Sequence, residues 1–216
     1  MYKKRRAFFV TFEGIEGSGK SYQSKKLYKN LKKMNFSTIL TREPGGTKSA
    51  ELIRKIILKD YFYSDSKDQF RKNTDTLLYL AARNEHVNNK IIPSIKKKKL
   101  IICDRFVDST IAYQVYGKGV KVSLVNAIHK HILGNLKPDI TFVLKVNIQK
   151  ALSRLNKRKK RNRYDNFSKN FYIKAQKAFI NIAKKDKKKY FIFDNSKDTN
   201  KIENLILNIV LKKLKK

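Results

Sequence analysis

The segment Gly14-Ile15-Glu16-Gly17-Ser18-Gly19-Lys20-Ser21 restricts what this chain can become more than any other. It is a complete phosphate-binding loop (P-loop), and its surroundings are those the motif requires. The apolar run Ala7–Glu13 in front of it predicts a buried strand. The stretch from about Lys20 to Met34 predicts a helix, with Leu27 and Leu31 on one face and lysines on the others. In such a strand–loop–helix unit the backbone N–H groups surround phosphate oxygens, and the helix N-terminus adds a favourable dipole. Gly14, Ile15, Glu16, Gly17, Ser18, Gly19, Lys20 and Ser21 are thus the candidate nucleotide-binding residues. Lys20 is placed to contact the transferring phosphates and Ser21 to ligate Mg²⁺.

The rest of the chain repeats the alternation of strand and helix. Apolar runs at 37–41, 100–103, 140–144 and 190–193 predict four more strands. Helices are expected near 47–57, from about Asp68 to Asn89, from near Ser109, through Leu124–Leu133 and over Ile202–Leu214. Continuous apolar strands separated by helices imply an α/β fold, a parallel sheet of about five strands covered by helices on both faces. At 216 residues, with no Pro-rich linker or internal repeat, the chain reads as one P-loop kinase domain over 1–216. Its aperiodic Lys/Arg/Asn-rich segment at about 156–167 is expected to be an exposed loop.

The formal charge is +35, from 52 Lys+Arg against 17 Asp+Glu. That charge would suit nucleic acid, but the lysines are spread along the whole chain, as in 96–99 and 184–189, instead of forming one patch with interleaved aromatics. A solvated lysine coat with no specific nucleic-acid partner is the expectation. Lys3, Lys4, Arg5 and Arg6 before a short apolar run mimic a signal peptide, but that run leads straight into the glycine loop. No apolar stretch approaches the ~18 residues of a membrane helix. The single cysteine, Cys103, cannot form an internal disulfide, so a cytoplasmic setting is the default. His86, His129 and His131 show no ligand spacing with Cys103, and His129 and His131 read as helix surface.

Asp104-Arg105 closes the strand at 100–103, at the sheet edge where ligands bind in parallel α/β folds. Asp104 there could hold Mg²⁺ or its water, and Arg105 could bridge phosphates bidentately. A structural ion pair is the alternative.

With the blocks Gly14–Ser21, Thr41–Thr47 (TREPGGT), Leu78–Arg83 (LYLAAR) and Asp104–Gln114 (DRFVDSTIAYQ) in view, the chain resembles the bacterial thymidylate kinases, in motif order and spacing, over essentially its whole length. The resemblance implies transfer of the ATP γ-phosphoryl group to dTMP, with Mg²⁺, in a homodimer. It implies that Glu16 binds the sugar 3′-hydroxyl and that Arg42 and Arg105 hold the acceptor phosphate. Tyr79 would stack on thymine, Arg83 would bond its carbonyl edge, Ser109 or Thr110 would touch the base, and Tyr113, followed by Gln114, would lie under the deoxyribose. Residues 158–165 match a mobile lid, whose Arg158 and Arg163 (and Arg161) would bring catalytic charge, and 194–196 match the segment near adenine. The resemblance also implies a cis Glu43–Pro44 bond. Two positions depart from the pattern: Asn162 precedes Arg163 where relatives often carry Asp, and Lys145 ends a strand that often ends in Asp. Read from the residues alone, Tyr79 fits simple core packing as well as stacking, and Arg83 fits a surface ion pair. A P-loop kinase with another acceptor and a nucleic-acid-binding protein are the competing readings.

Overall fold

The computed structural model describes residues 6–58, 71–157, 163–197 and 201–215, apart from the side chains of Arg163 and Asn166. Its centre is β1 (Phe8–Glu13), every residue of which is buried. Such a strand needs sheet on both sides and helices on both faces, and it has them. It pairs in parallel with β3 (Leu100–Asp104) and with β4 (Ile140–Lys145), Val10 lying between Ile102 and Ile140. Outside these lie β2 (Thr38–Arg42) and β5 (Tyr190–Asp194), giving the order β2-β3-β1-β4-β5. The five parallel strands agree with the sequence expectation, with ends displaced by about a residue.

The two-residue period of a strand sorts the core into layers. Phe8, Val10 and Phe12, with Leu100, Ile102, Phe142 and Leu144, pack against Leu27 and Leu31 of α1 (Lys20–Lys33) and Ile202, Ile206 and Val210 of α9 (Lys201–Lys215). On the opposite face, Phe9, Ile101 and Cys103 meet Val87, Ile91 and Phe106. Val143 meets Ala151 and Leu155 of α7 (Ile148–Asn156) and Ala175 and Phe179 of α8 (Lys169–Lys184) on that face. α2 (Lys48–Leu58) packs on α3 (Lys72–His86), which also meets α6 (Val122–Leu133).

The helix expected to stop near Asn89 goes further. Residues 68–70 lie outside the description, and α3 passes through a π-helical turn, Val87–Ile91, into α4 (Ile92–Lys96). Pro93 would remove one rung of an unbroken α-ladder, but here it falls in the first turn of α4, where no rung is needed. A second π-helical stretch, Ile111–Gly117, continues α5 (Val107–Thr110) and carries Tyr113 and Gln114. Such turns rotate the following side chains off the α-period and recur at functional sites.

The strands end in Glu13, Arg42, Asp104, Lys145 and Asp194, so one edge of the sheet is entirely charged. The chain leaves β3 on one side of β1 and returns as β4 on the other, and ligands of open α/β sheets bind at such a reversal.

Candidate active site

The loop after β1 is fixed from several directions. Gly14 has φ 136°, and a Cβ there would come within 2.4 Å of the Leu144 carbonyl oxygen, so only glycine fits. The Ser18 carbonyl accepts from Asn195 Nδ2 at 2.7 Å, and the Gly17 carbonyl accepts from Arg154 of α7 at 2.8 Å. Lys20 is folded into the loop, only 5% exposed, donating to the Ile15 carbonyl at 2.7 Å. Burial, reinforced by neighbouring Arg105, pushes its ammonium down to about 7 against the attraction of Asp104, Glu16 and Glu13. A bound phosphate would give this amine an anion in direct contact. Ser21 donates its hydroxyl to Asp104, which brings two hard oxygen donors together where loop meets β3.

Next to the loop lies a cavity of about 230 Å³ lined jointly by Glu16, Lys20 and Ser21 and by residues of β2, β3 and the helices. Arg105 is its central cation. The residue has φ 74°, and its guanidinium donates to the Gly14 carbonyl at 2.9 Å, to Ser109 Oγ at 3.0 Å and to Glu16 at 2.7 Å, lying 5.2 Å from the Tyr113 ring centre. Glu16 also accepts from the Tyr113 hydroxyl. Burial alone would raise the Glu16 carboxyl, but Arg105 and Lys20, with the Tyr113 hydroxyl, hold it below the ordinary carboxylate range. Arg42 stands exposed at the mouth, its guanidinium 3.1 and 3.2 Å from the two carboxylate oxygens of Glu51, one of which also accepts from the Gly46 amide at 2.9 Å. The turn between them contains a cis Glu43–Pro44 bond, as expected.

Tyr79, Thr110, Tyr113 and Gln114 line the inner part, where Tyr164 meets the Tyr79 and Tyr113 rings edge-on at 6.1 and 5.6 Å. Gln114 donates to the Tyr164 hydroxyl at 3.2 Å. Arg83 reaches the cavity wall, but it is no surface ion pair. Only 3% exposed, it donates to Glu43 at 2.7 Å, to Thr110 Oγ1 at 2.8 Å, to the Phe106 carbonyl at 2.8 Å and to His129 Nε2 at 2.6 Å. His129, expected on the helix surface, is therefore corrected to a buried residue at 7% exposure. Burial and the Arg83 charge push it down to about 3, so the neutral ring accepts the arginine's hydrogen bond. His131 is exposed as expected.

One cavity thus gathers Glu16, Lys20, Ser21, Arg42, Tyr79, Arg83, Asp104, Arg105, Ser109, Thr110, Tyr113 and Gln114. Arg158 and Arg161 lie outside the described residues, as does the side chain of Arg163, whose backbone opens a single 3₁₀ turn, Arg163–Asn166. The departing Lys145 pairs with Asp194 at 3.1 Å and bonds through its carbonyl to the Asn195 amide at 2.8 Å. Sequence reasoning missed Arg54, which lines the cavity and donates to the Pro44 carbonyl at 2.8 Å, as well as Tyr164 and the anchoring carboxylates Glu13, Glu43 and Glu51. Glu13 and Glu43 stood inside or beside the motifs. Nothing in the sequence distinguishes Arg54 from the basic coat.

The arrangement joins a loop for a phosphate chain to a pocket with cations at its mouth and flat aromatic walls within, as transfer between nucleotides requires. A sequence profile of the thymidylate kinase family matches residues 12–206. Among curated proteins, the chain is 43% identical to a thymidylate kinase of Wolbachia pipientis (strain wPip) over 212 residues, covering 96% of this chain and 97% of that one. It is 36% identical to one of Mycoplasma capricolum, covering 96% of each. A crystal structure of thymidylate kinase from Ehrlichia chaffeensis superposes with a TM-score of 0.73 at 34% identity, covering 97% of this chain and 99% of that one.

Proposed function

This chain belongs to the thymidylate kinase family, and from that premise we propose how its residues divide the work of the family's reaction, the transfer of the γ-phosphoryl group of ATP to dTMP to give dTDP and ADP. The observation that carries the assignment of roles is the shared cavity: P-loop residues and acceptor residues line one space. An oxygen of the dTMP phosphate attacks the γ-phosphorus in line, and the bridging oxygen leaves with ADP. The nucleophile is already ionised at neutral pH, so positioning and charge do the catalysis.

Lys20 holds the γ-phosphoryl oxygens. Arg105 and Arg42 hold the acceptor phosphate, Arg42 exchanging Glu51 for it, with Arg54 beside them. Glu16 accepts from the sugar 3′-hydroxyl while Tyr113 packs under the deoxyribose. Tyr79 stacks on thymine, whose polar edge meets Arg83, Ser109, Thr110 and Gln114. The segment 156–167 closes over ATP and brings Arg158 and Arg163 to the transferring group. The hydroxyl of Ser21 and carboxylate of Asp104 form a hard-oxygen pair suited to Mg²⁺, which when bound neutralises charge on the donor phosphates.

The same reading includes a homodimer, supported by the exposed Leu52 and Ile56 of α2 and Leu77 of the adjoining α3. It also includes a cytoplasmic setting, in keeping with the free Cys103. No helix among the described residues is long and apolar enough to cross a membrane. A panel of acceptors with ATP tests the function. dTMP should be turned over faster than dCMP, dGMP or thymidine, and a better acceptor among these would overturn the reading.

A further inference from the structure

Glu13, the last residue of β1, plays no part in the roles above. It is fully buried and is absent from the acceptor cavity's lining; it borders a second cavity of about 490 Å³, with Asp108, His129 and Tyr190. One of its oxygens accepts from the Phe106 backbone N–H at 2.7 Å, the other from the Ser109 hydroxyl at 2.6 Å. Ser109 Oγ in turn accepts from Arg105 at 3.0 Å. The two groups held by Glu13 both follow Arg105 in the chain: one is the amide of the next residue, and the other is the hydroxyl that accepts from the Arg105 guanidinium. Arg105 itself has the left-handed φ of 74°, which a residue with a side chain keeps only when its surroundings over-determine it. The Arg105 amide, bonded to the Phe12 carbonyl at 2.9 Å, fixes the near side of the turn. Glu13 fixes the far side.

We propose that Glu13 is a positioning residue for dTMP phosphorylation, its carboxylate clamping the Phe106 amide and the Ser109 hydroxyl so that the Arg105 guanidinium is held where it meets the acceptor phosphate. This rests on the reading of Arg105 given above. Only the ionised carboxylate accepts from both donors, and a protonated one loses an acceptor. Burial first, then Asp108, pushes Glu13 up to about 7, against Ser109, Arg105 and the Phe106 amide. The other charged and titratable groups around it are Lys20 of α1, Cys103 of β3, Tyr190 of β5 and His129 of α6. The clamp therefore loosens as pH falls through that region.

The test compares dTMP with thymidine, which lacks the phosphate, by titration calorimetry on the full chain. Glu13→Gln keeps the shape of the clamp but replaces one acceptor with a donor. It should weaken dTMP binding about tenfold or more while changing thymidine binding less than about twofold, and its dTMP affinity should fall less steeply below pH 7 than that of the wild type. Combined with Arg105→Lys it should add little, because both act on one phosphate contact. Equal losses for dTMP and thymidine, or unchanged dTMP affinity beside a large loss in Arg105→Lys, would overturn the clamp alone. Wild-type dTMP affinity in Arg105→Lys would overturn the reading of Arg105 and the clamp with it. Should Glu13→Gln lose its thermal transition, Glu13→Asp, which keeps the charge but shortens its reach to the Phe106 amide and the Ser109 hydroxyl, is put through the same dTMP-to-thymidine comparison, and a loss confined to dTMP or its absence decides.

Discussion

Replacing Arg83 with Met tests the buried charge network beneath the base pocket. The side chains of Arg83 and Glu43 are 3% and 4% exposed and lie 2.7 Å apart. Burial alone would raise the Glu43 carboxyl, but Arg83, helped by the His86 hydrogen bond at 3.0 Å, holds it below the ordinary range. A depressed folded pKa contributes stability above the unfolded value, about 4.3, and that stability is lost as pH falls through the folded value. Methionine fills much of the same space but removes the charge, leaving His86 as the side-chain donor to Glu43 among the described residues. Burial then dominates, the carboxyl rises, and the sign inverts: the variant loses stability as pH climbs above about 4.3. Breaking a buried pair from one side costs about 3–5 kcal/mol. For a domain of this size that lowers Tm by about 6–20 °C at neutral pH. The lost hydrogen bonds to the Phe106 carbonyl, which keeps the Ser109 amide, and to the Thr110 hydroxyl add a part that does not vary with pH. Thermal unfolding followed by circular dichroism from pH 4.5 to 8 should show the gap between wild type and variant widening with pH. A pH-independent gap, or one worth less than about 1 kcal/mol, would refute the argument.

Three further outcomes are expected. Lys20→Ala should lose well over tenfold in kcat while keeping its thermal transition, because its proposed role is to hold phosphate and it is no part of the apolar core; retention of a tenth of wild-type kcat would count against that role. Tyr113→Ala should narrow the preference for dTMP over its ribose analogue if, as proposed, the ring, which lies beneath Arg105 and bonds to Glu16, sits under the sugar and crowds the 2′ position; an unchanged ratio of kcat/KM would make Tyr113 a packing residue. Of Arg158→Ala, Arg161→Ala and Arg163→Ala, at least one should lower kcat on the order of a hundredfold with little change in KM for dTMP, and three variants within a few-fold of wild type would leave the segment a cover only.

The sheet was legible because its strands are short runs such as Leu100-Ile101-Ile102-Cys103 that stay apolar on both faces, a pattern with few other uses. The phosphate loop was legible because its glycines answer a steric demand that sequence displays directly. What escaped depends on partners distant in the chain. His129 stands between Ile128 and Lys130 and reads as surface until Arg83, 46 residues away, is seen against it. Arg54 is set apart from dozens of other cations by its bond to the Pro44 carbonyl and its place in the cavity wall, neither of which a sequence displays. The helix past Asn89 was missed because a proline normally ends an α-ladder, and a π turn that shifts the register has no compositional mark. Glu13 and Glu43 adjoin recognisable motifs, yet their work is to hold Arg105 and Arg83, and a motif names the residue held more readily than the one holding it.

The contact of Arg154 with the Gly17 carbonyl has a mechanical meaning. Arg154 sits two residues before the end of α7, where the segment 156–167 takes off, and its guanidinium also donates to the Asn195 carbonyl at 3.2 Å. The backbone of α7 lies against the loop as well: a Cβ on Gly17 would come within 2.7 Å of the Ala151 carbonyl oxygen. The C-terminal part of α7 is thus seated on the phosphate loop and on the Asn195 carbonyl just beyond β5. In the proposed function, this seat gives the donor nucleotide a route through α7 to the segment that covers it.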